Sequence, residues 1–214
     1  MKRLLHDYLP TITATALVAV TLVACQNDRQ QDTASLPGDS VSMAAPSADS
    51  AAGTSGEVLN DAKVADIALT ADAIDSSAGK FALEKSKTKA VRDFAQTMVR
   101  DHSAVNAKAV ELAQKLGVTP EDNDVSKQLK DGADQAHDNI ADLEGAAFDR
   151  AYMDREIAYH QAVLDALDST LIPSAQNAEL KQFLTSVRPN FEAHLKRAKA
   201  VRQDLGGQDS TVAQ

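Results

Sequence analysis

The chain has no tryptophan, a single cysteine, and aromatic residues at only 4% of its 214 positions. One cysteine, Cys25, leaves no intramolecular disulfide and no thiol chemistry for a folded domain downstream. With 22 basic against 31 acidic residues the net charge is −9, and no basic patch with interleaved aromatics occurs. That balance argues against nucleic acid and anionic lipid headgroups as partners. Absent too are His-Glu-x-x-His, Gly-x-Ser-x-Gly and a glycine-rich phosphate loop, so metalloprotease, hydrolase and nucleotide chemistry have no foothold. No strand-like alternation competes with helical periodicity, and nothing after residue 25 is apolar for long enough to span a membrane.

What is present begins with a targeting signal. Lys2 and Arg3 precede a run from Tyr8 to Ala24 that is apolar or small apart from threonines and Pro10, ending in Leu22-Val23-Ala24-Cys25. This ending resembles the lipobox of bacterial lipoproteins, whose cysteine is lipidated and becomes the mature N-terminus. Residues 1–24 then read as a lipoprotein signal peptide, and the chain is held at a membrane by acyl chains without a transmembrane helix. Its removal takes away Lys2, Arg3 and Asp7, moving the charge to −10. Gln26 follows the cysteine. Under the sorting rule the lipoprotein resemblance brings, that residue implies the outer membrane, facing the periplasm. Residues 25–56, rich in Ser, Ala, Asp, Gly and Pro, read as a disordered tether with a reach of about 30 Å.

From Glu57 to Leu205 the pattern is helical. Thr54-Ser-Gly-Glu57 has capping-box spacing. Val64, Ile67, Ala71, Ile74, Ala78 and Phe81 then alternate by threes and fours, with Asp75 at the edge of the stripe. A second stripe runs Val91, Phe94, Met98, His102, Val105, Ala109, Leu112 and Leu116, stopped by Gly117 and Pro120. A shorter helix carries Val125, Leu129, Ala136 and Ile140, and Gly145 marks a break. Met153, Ile157, His160, Leu164, Leu167 and Leu171 follow, ended by Pro173. The last helix shows Leu180, Leu184, Val187, Phe191, His194, Ala198, Val201 and Leu205 before Gly206-Gly207, with residues 207–214 as a disordered tail. Stripes of this kind predict an all-α bundle of nearly antiparallel helices over residues 57–206.

Three of the five histidines, His102, His160 and His194, sit on apolar stripes of three different helices. Asp75, Asp101 and Glu156 lie near them in sequence, Glu156 one turn before His160 on the same face. Buried imidazoles and carboxylates are costly unless they satisfy one another or bind a cation. Two readings follow. One is a polar network that fixes helix register. The other is a metal site of His102, His160, His194, Asp75 and Glu156, with a donor set suited to iron, manganese, zinc or copper.

The segments "GKFALEKSKTKAVRDFAQTMVRDHS" (79–103) and "GAAFDRAYMDREIAYHQAVL" (145–164) closely resemble the bacterial domain-of-unknown-function family 4142. That family is described as ferritin-like and often labelled as outer membrane protein. The resemblance spans about residues 57–205 and implies a ferritin-like four-helix bundle with an extra crossover helix, residues 118–144, in the cell envelope. It implies no activity. The chain departs from ferritin-like di-metal proteins, which carry Glu-x-x-His pairs on two helices. Here Val99 and Phe191 precede His102 and His194 by three. The leading functional reading is a non-enzymatic, lipid-anchored envelope protein with a binding or stress-related role. A metal-binding or redox protein using the buried site, and a structural or interaction module, are the alternatives. The sequence names no protein partner. If Cys25 is lipidated, the mature chain begins with a blocked cysteine and Cys25→Ser accumulates an unlipidated precursor. Intact-mass spectrometry checks both, and a free N-terminus elsewhere contradicts them.

Overall fold

A computed structural model describes residues 58–212, with side chains described to Gly206. The expected signal peptide, Cys25, the tether and the Thr54–Glu57 capping box lie outside the described residues. Among the described residues there are five long helices: α1 Asp61–Lys85, α2 Lys89–Leu116, α3 Asp124–Ala141, α4 Gly145–Ala166 and α5 Ala178–Val212. Among the described residues no helix is long and apolar enough to cross a membrane.

The helix ends are set by local chemistry. Residues 58–60 are not helical, so α1 starts at Asp61 and not at Glu57. Asn60 caps it, its side chain accepting from the Lys63 amide at 2.9 Å. Gly117 ends α2 with φ of 65°, a left-handed conformation that lets its amide reach back to the last carbonyls. Asn123 and Ser126 form a reciprocal capping box on α3. Beyond α4 a π-helical turn, Leu167–Leu171, leads into a final turn, Ile172–Ser174. The widened turn sits just ahead of Pro173, whose ring would crowd the carbonyl four residues back in a regular helix. α5 runs on through Gly206-Gly207 to Val212, past the expected stop. Glycine ends a helix by adopting positive φ, and among the described glycines only Gly117 and Gly145 do so.

The connectivity is up, down, crossover, down, up. α1 and α2 form one antiparallel hairpin, α4 and α5 pack as a second pair, and α3 returns the chain along α1 and α4. At one end Lys85 Nζ reaches the Ala141 carbonyl at 2.9 Å and Glu144 Oε1 at 2.7 Å. At the other, Asp61 accepts from the Gln176 and Asn177 amides, and the Glu121 amide donates to the Ala62 carbonyl. This is the four-helix bundle with a crossover helix that the stripes and the family resemblance predict.

The stripes on α2, α4 and α5 bury almost as read, and on α1 Val64, Ile67 and Ala71 do so too, but its second half is rotated. Its innermost line is Val64, Ile67, Ala71, Asp75, Gly79 and Ala82, so Asp75 lies at the centre of the face and not at its edge. Ile74, Ala78 and Phe81 flank it and meet α3. α1 serves two neighbours, the bundle core and the crossover helix, and a single stripe cannot show that. Two apolar clusters result. One holds Val64, Ile67, Val105, Val163, Leu167, Leu184 and Phe191; the other holds Ala82, Phe94, Met98, Phe148, Tyr152, Met153 and Ala198. Asp75, His102 and Glu156 fall between the members of the two clusters along their own helices, and His160 and His194 sit just inside the first cluster, beside Tyr159 and Leu195. The bundle has a polar waist.

Gly79 lets α1 approach α2 closely, since a Cβ there would lie 2.9 Å from the Ala95 carbonyl oxygen and 3.0 Å from Val99. Gly79→Ala is therefore expected to destabilise the domain by about 1–3 kcal/mol despite alanine's better helix propensity. Gly206→Ala, with nothing nearer than 3.9 Å, is expected to be neutral or mildly stabilising. Thermal unfolding of both variants decides it.

Candidate functional site

Each bundle helix contributes to the waist: α1 gives Asp72 and Asp75, α2 His102, α4 Glu156 and His160, and α5 His194. Asp75, Glu156 and His160 have no exposed surface, and His102 and His194 are 1% and 6% exposed. The three imidazoles face one another with ring centroids 5.1–5.7 Å apart. Phe191 closes one side, 5.1 Å from the His102 ring and 5.8 Å from that of His160. All five residues read from the sequence as one site are brought together.

Every imidazole is held by one nitrogen and turns the other inward. His102 Nδ1 lies 2.7 Å from Asp72 Oδ1, His160 Nδ1 is 2.9 Å from the Glu156 backbone carbonyl, and His194 Nε2 is 3.0 Å from Asp101 Oδ2. Carbonyl and carboxylate oxygens only accept, so each of these nitrogens carries the proton and donates. The inner nitrogens, His102 Nε2, His160 Nε2 and His194 Nδ1, have no aligned hydrogen-bond partner. Nor do either oxygen of Asp75 or Glu156 Oε2. Asp75 Oδ2 nevertheless stands 2.9 Å from His102 Nε2 and 3.2 Å from His160 Nε2. A carboxylate and imidazole lone pairs at such distances repel unless positive charge lies among them.

The electrostatics express this demand. Burial alone would disfavour the charged form of His102, but Asp75 and Asp72 outweigh it and push its pKa up to about 10. Burial would also raise Asp75, but His160 and His102 hold its carboxyl well below the usual range. Glu156 goes the other way. Burial, reinforced by the charge of Asp75, lifts it well above the ordinary glutamate value against the pull of Arg155. Burial lowers His160, and burial together with the neighbouring imidazoles lowers His194 to about 4. With no cation at the waist, a proton on His102 supplies the positive charge.

Two overlapping sets of donor atoms lie within 4.8 Å of one another: those of His102, His160 and His194, and those of Asp75, Glu156 and His160. The first set is three nitrogens from three helices, and the second is two carboxylate oxygens and a nitrogen from α1 and α4. The arrangement can hold a cation or a small cluster of protons.

The family profile described as Domain of unknown function (DUF4142) matches residues 43–201. The chain belongs to that family. No curated protein and no solved structure matches it. Family membership accounts for the bundle and assigns no activity, so the waist must be interpreted from its own chemistry.

Sequence reading missed four residues around the site. Asp72 was one, although its spacing of three from Asp75 puts both carboxylates on one face of α1. Asp101, read as a companion of His102, bonds His194 instead, because neighbours in sequence on a helix point about 100° apart. Arg155 reaches Glu156 Oε1 at 2.5 Å and lies over the Tyr159 ring, whose hydroxyl donates to the Ala71 carbonyl at 2.9 Å. Tyr152 is fully buried, and its hydroxyl has no hydrogen-bond partner. No periodicity would reveal that an arginine at the margin of a stripe is folded inward. His137 stands apart from the waist, its ring 4.3 Å from Phe81.

Asp72→Ala strips the held nitrogen of His102 of its acceptor and leaves a charged imidazole underpaired. We expect a loss of about 3 kcal/mol in urea unfolding with chelator present, with Asp72→Asn milder because its amide oxygen still accepts. Equal stability of Asp72→Ala and the parent would contradict this role.

Proposed function

We propose that this chain is a lipid-anchored protein of the bacterial envelope, outer membrane facing the periplasm, whose bundle binds a transition-metal ion. The ligands are the inner nitrogens of His102, His160 and His194 together with Asp75 Oδ2. One observation carries the reading. All three imidazoles have their outer nitrogen fixed by an acceptor, while the inner nitrogens of His102 and His160 face Asp75 Oδ2 at 2.9 and 3.2 Å and that of His194 faces the same space without a partner. Metal-binding histidines are held this way, because the outer hydrogen bond sets both tautomer and ring orientation. A proton on His102 can satisfy Asp75, but it leaves the inner nitrogens of His160 and His194 without partners, and each unpaired buried polar atom costs about 1–3 kcal/mol.

The donor set narrows the metal. Three imidazoles and a carboxylate suit iron, manganese, zinc or copper(II); calcium and magnesium prefer oxygen shells, and copper(I) prefers thiolate or thioether. The site is bound by four helices at once, so an ion there would tie both hairpins together and stabilise the fold by mass action. The role supported is binding or holding of the metal. The envelope location rests on the lipobox resemblance and on the label often given to the family.

Titration of the full chain with Fe(II), Zn(II) and Cu(II) tests the reading. At least one of them is expected to bind and to raise the unfolding temperature. His160→Ala should abolish that binding, and Asp72→Asn should weaken it by about 10–100-fold. If His160→Ala lowers stability while no metal binds the parent, the waist is a structural network.

A further inference from the structure

We infer that Arg155 is the built-in cation of the carboxylate half of this site and that it limits the domain to one metal ion per chain. The inference rests on the metal-binding reading above and adds to it a stoichiometry and the residue that sets it.

The waist has donors for one full shell and part of a second, because the single free nitrogen of His160 can serve only one ion and Asp75 would have to bridge. His102, His160 and His194 form one set and Asp75, Glu156 and His160 another; with Asp75 and His160 engaged by the first ion, Glu156 is the donor left for a second. An ion in the second set would depend on Glu156. That carboxylate is already engaged, with Arg155 Nη1 2.5 Å from its Oε1, and neither side chain is appreciably exposed. A guanidinium does not lose its proton in a protein, so it stands as a permanent positive charge beside the second set. A divalent ion placed there meets like-charge repulsion in a medium that screens poorly. The guanidinium is also fixed in place, 5.2 Å from the centre of the Tyr159 ring.

Arg155 also stands between Glu156 and open space. It lines two cavities against α3, one of about 80 Å³ bounded by Ala71, Leu129 and Tyr159, and one of about 210 Å³ bounded by Phe81, His137 and Tyr152. Shortening it removes the competing charge and opens the carboxylate to space where water can complete the shell of a second ion.

The test is metal content and electron paramagnetic resonance of the full chain after loading with Mn(II) or Zn(II) and removal of excess. The parent is expected to hold one ion, Arg155→Gln two, and the double variant Arg155→Gln/Glu156→Gln one. Mn(II) should show a coupled pair only in Arg155→Gln, and Arg155→Lys should stay at one. Two ions in the parent, or one in a folded Arg155→Gln variant, overturns the inference while leaving metal binding intact. No ion in the parent overturns the binding reading itself. Should Arg155→Gln fail to fold, Glu156→Gln alone decides the matter. It should keep one ion with affinity within about threefold of the parent, and a loss of tenfold or more would make Glu156 a ligand and contradict the role given to Arg155 (tenfold being about 1.4 kcal/mol).

Discussion

Asp75 places a fully buried carboxylate on the innermost line of α1, and much of the domain is organised around neutralising it. A lone ionised carboxylate in such a position would cost many kcal/mol. His102 and His160 approach it from two other helices, within 3.2 Å of one oxygen, and His194 completes the ring of imidazoles. Those imidazoles are aimed in turn by Asp72, the Glu156 carbonyl and Asp101. The layer is thus a charge balance distributed over four helices. It divides the apolar core into an upper and a lower cluster that would otherwise be continuous.

The crossover helix has a part in this arrangement. In a plain up-down bundle the face of α1 that bears Ile74, Ala78 and Phe81 would be open to water. Here α3 lies against it, and the chain can then start α4 at the same end as α2. That makes α2 and α4 parallel, and it brings His102 and His160 to the same height near mid-bundle. Because helices rise 1.5 Å per residue, moving a histidine by one turn on either helix would separate the rings by about 5 Å. The register is therefore tight, and hydrogen bonds at the bundle ends, from Lys85 to Ala141 and Glu144 and from the Gln176 and Asn177 amides just before α5 to Asp61, hold it.

Much of this was legible in the residues. Apolar stripes located α2, α4 and α5 because each has a single buried face, and they placed His102, His160 and His194 on the inward faces of three helices. The reading failed where a residue answers to two neighbours. α1 packs against both the core and α3, so its stripe averaged over two faces and put Asp75 at the margin. Asp101 was assigned by sequence proximity, and helical geometry sent it to a different histidine. Arg155 carries a charge that composition places on the surface, and its burial follows only from the Glu156 and Tyr159 it meets. The glycine pair near the C-terminus read as a stop, but glycine stops a helix through its backbone conformation and not by its presence.

The central claim is that the waist is a metal centre built from three imidazoles and a carboxylate. X-ray absorption at the metal edge of the loaded full chain tests it most directly, because it reads the ligand atoms themselves. For zinc the account predicts three imidazole nitrogens at about 2.0–2.1 Å, with their characteristic outer-shell scattering, and a carboxylate oxygen at about 2.0–2.2 Å. A shell made only of oxygens, or one with a single imidazole, would place the metal on the acidic surface and contradict the account.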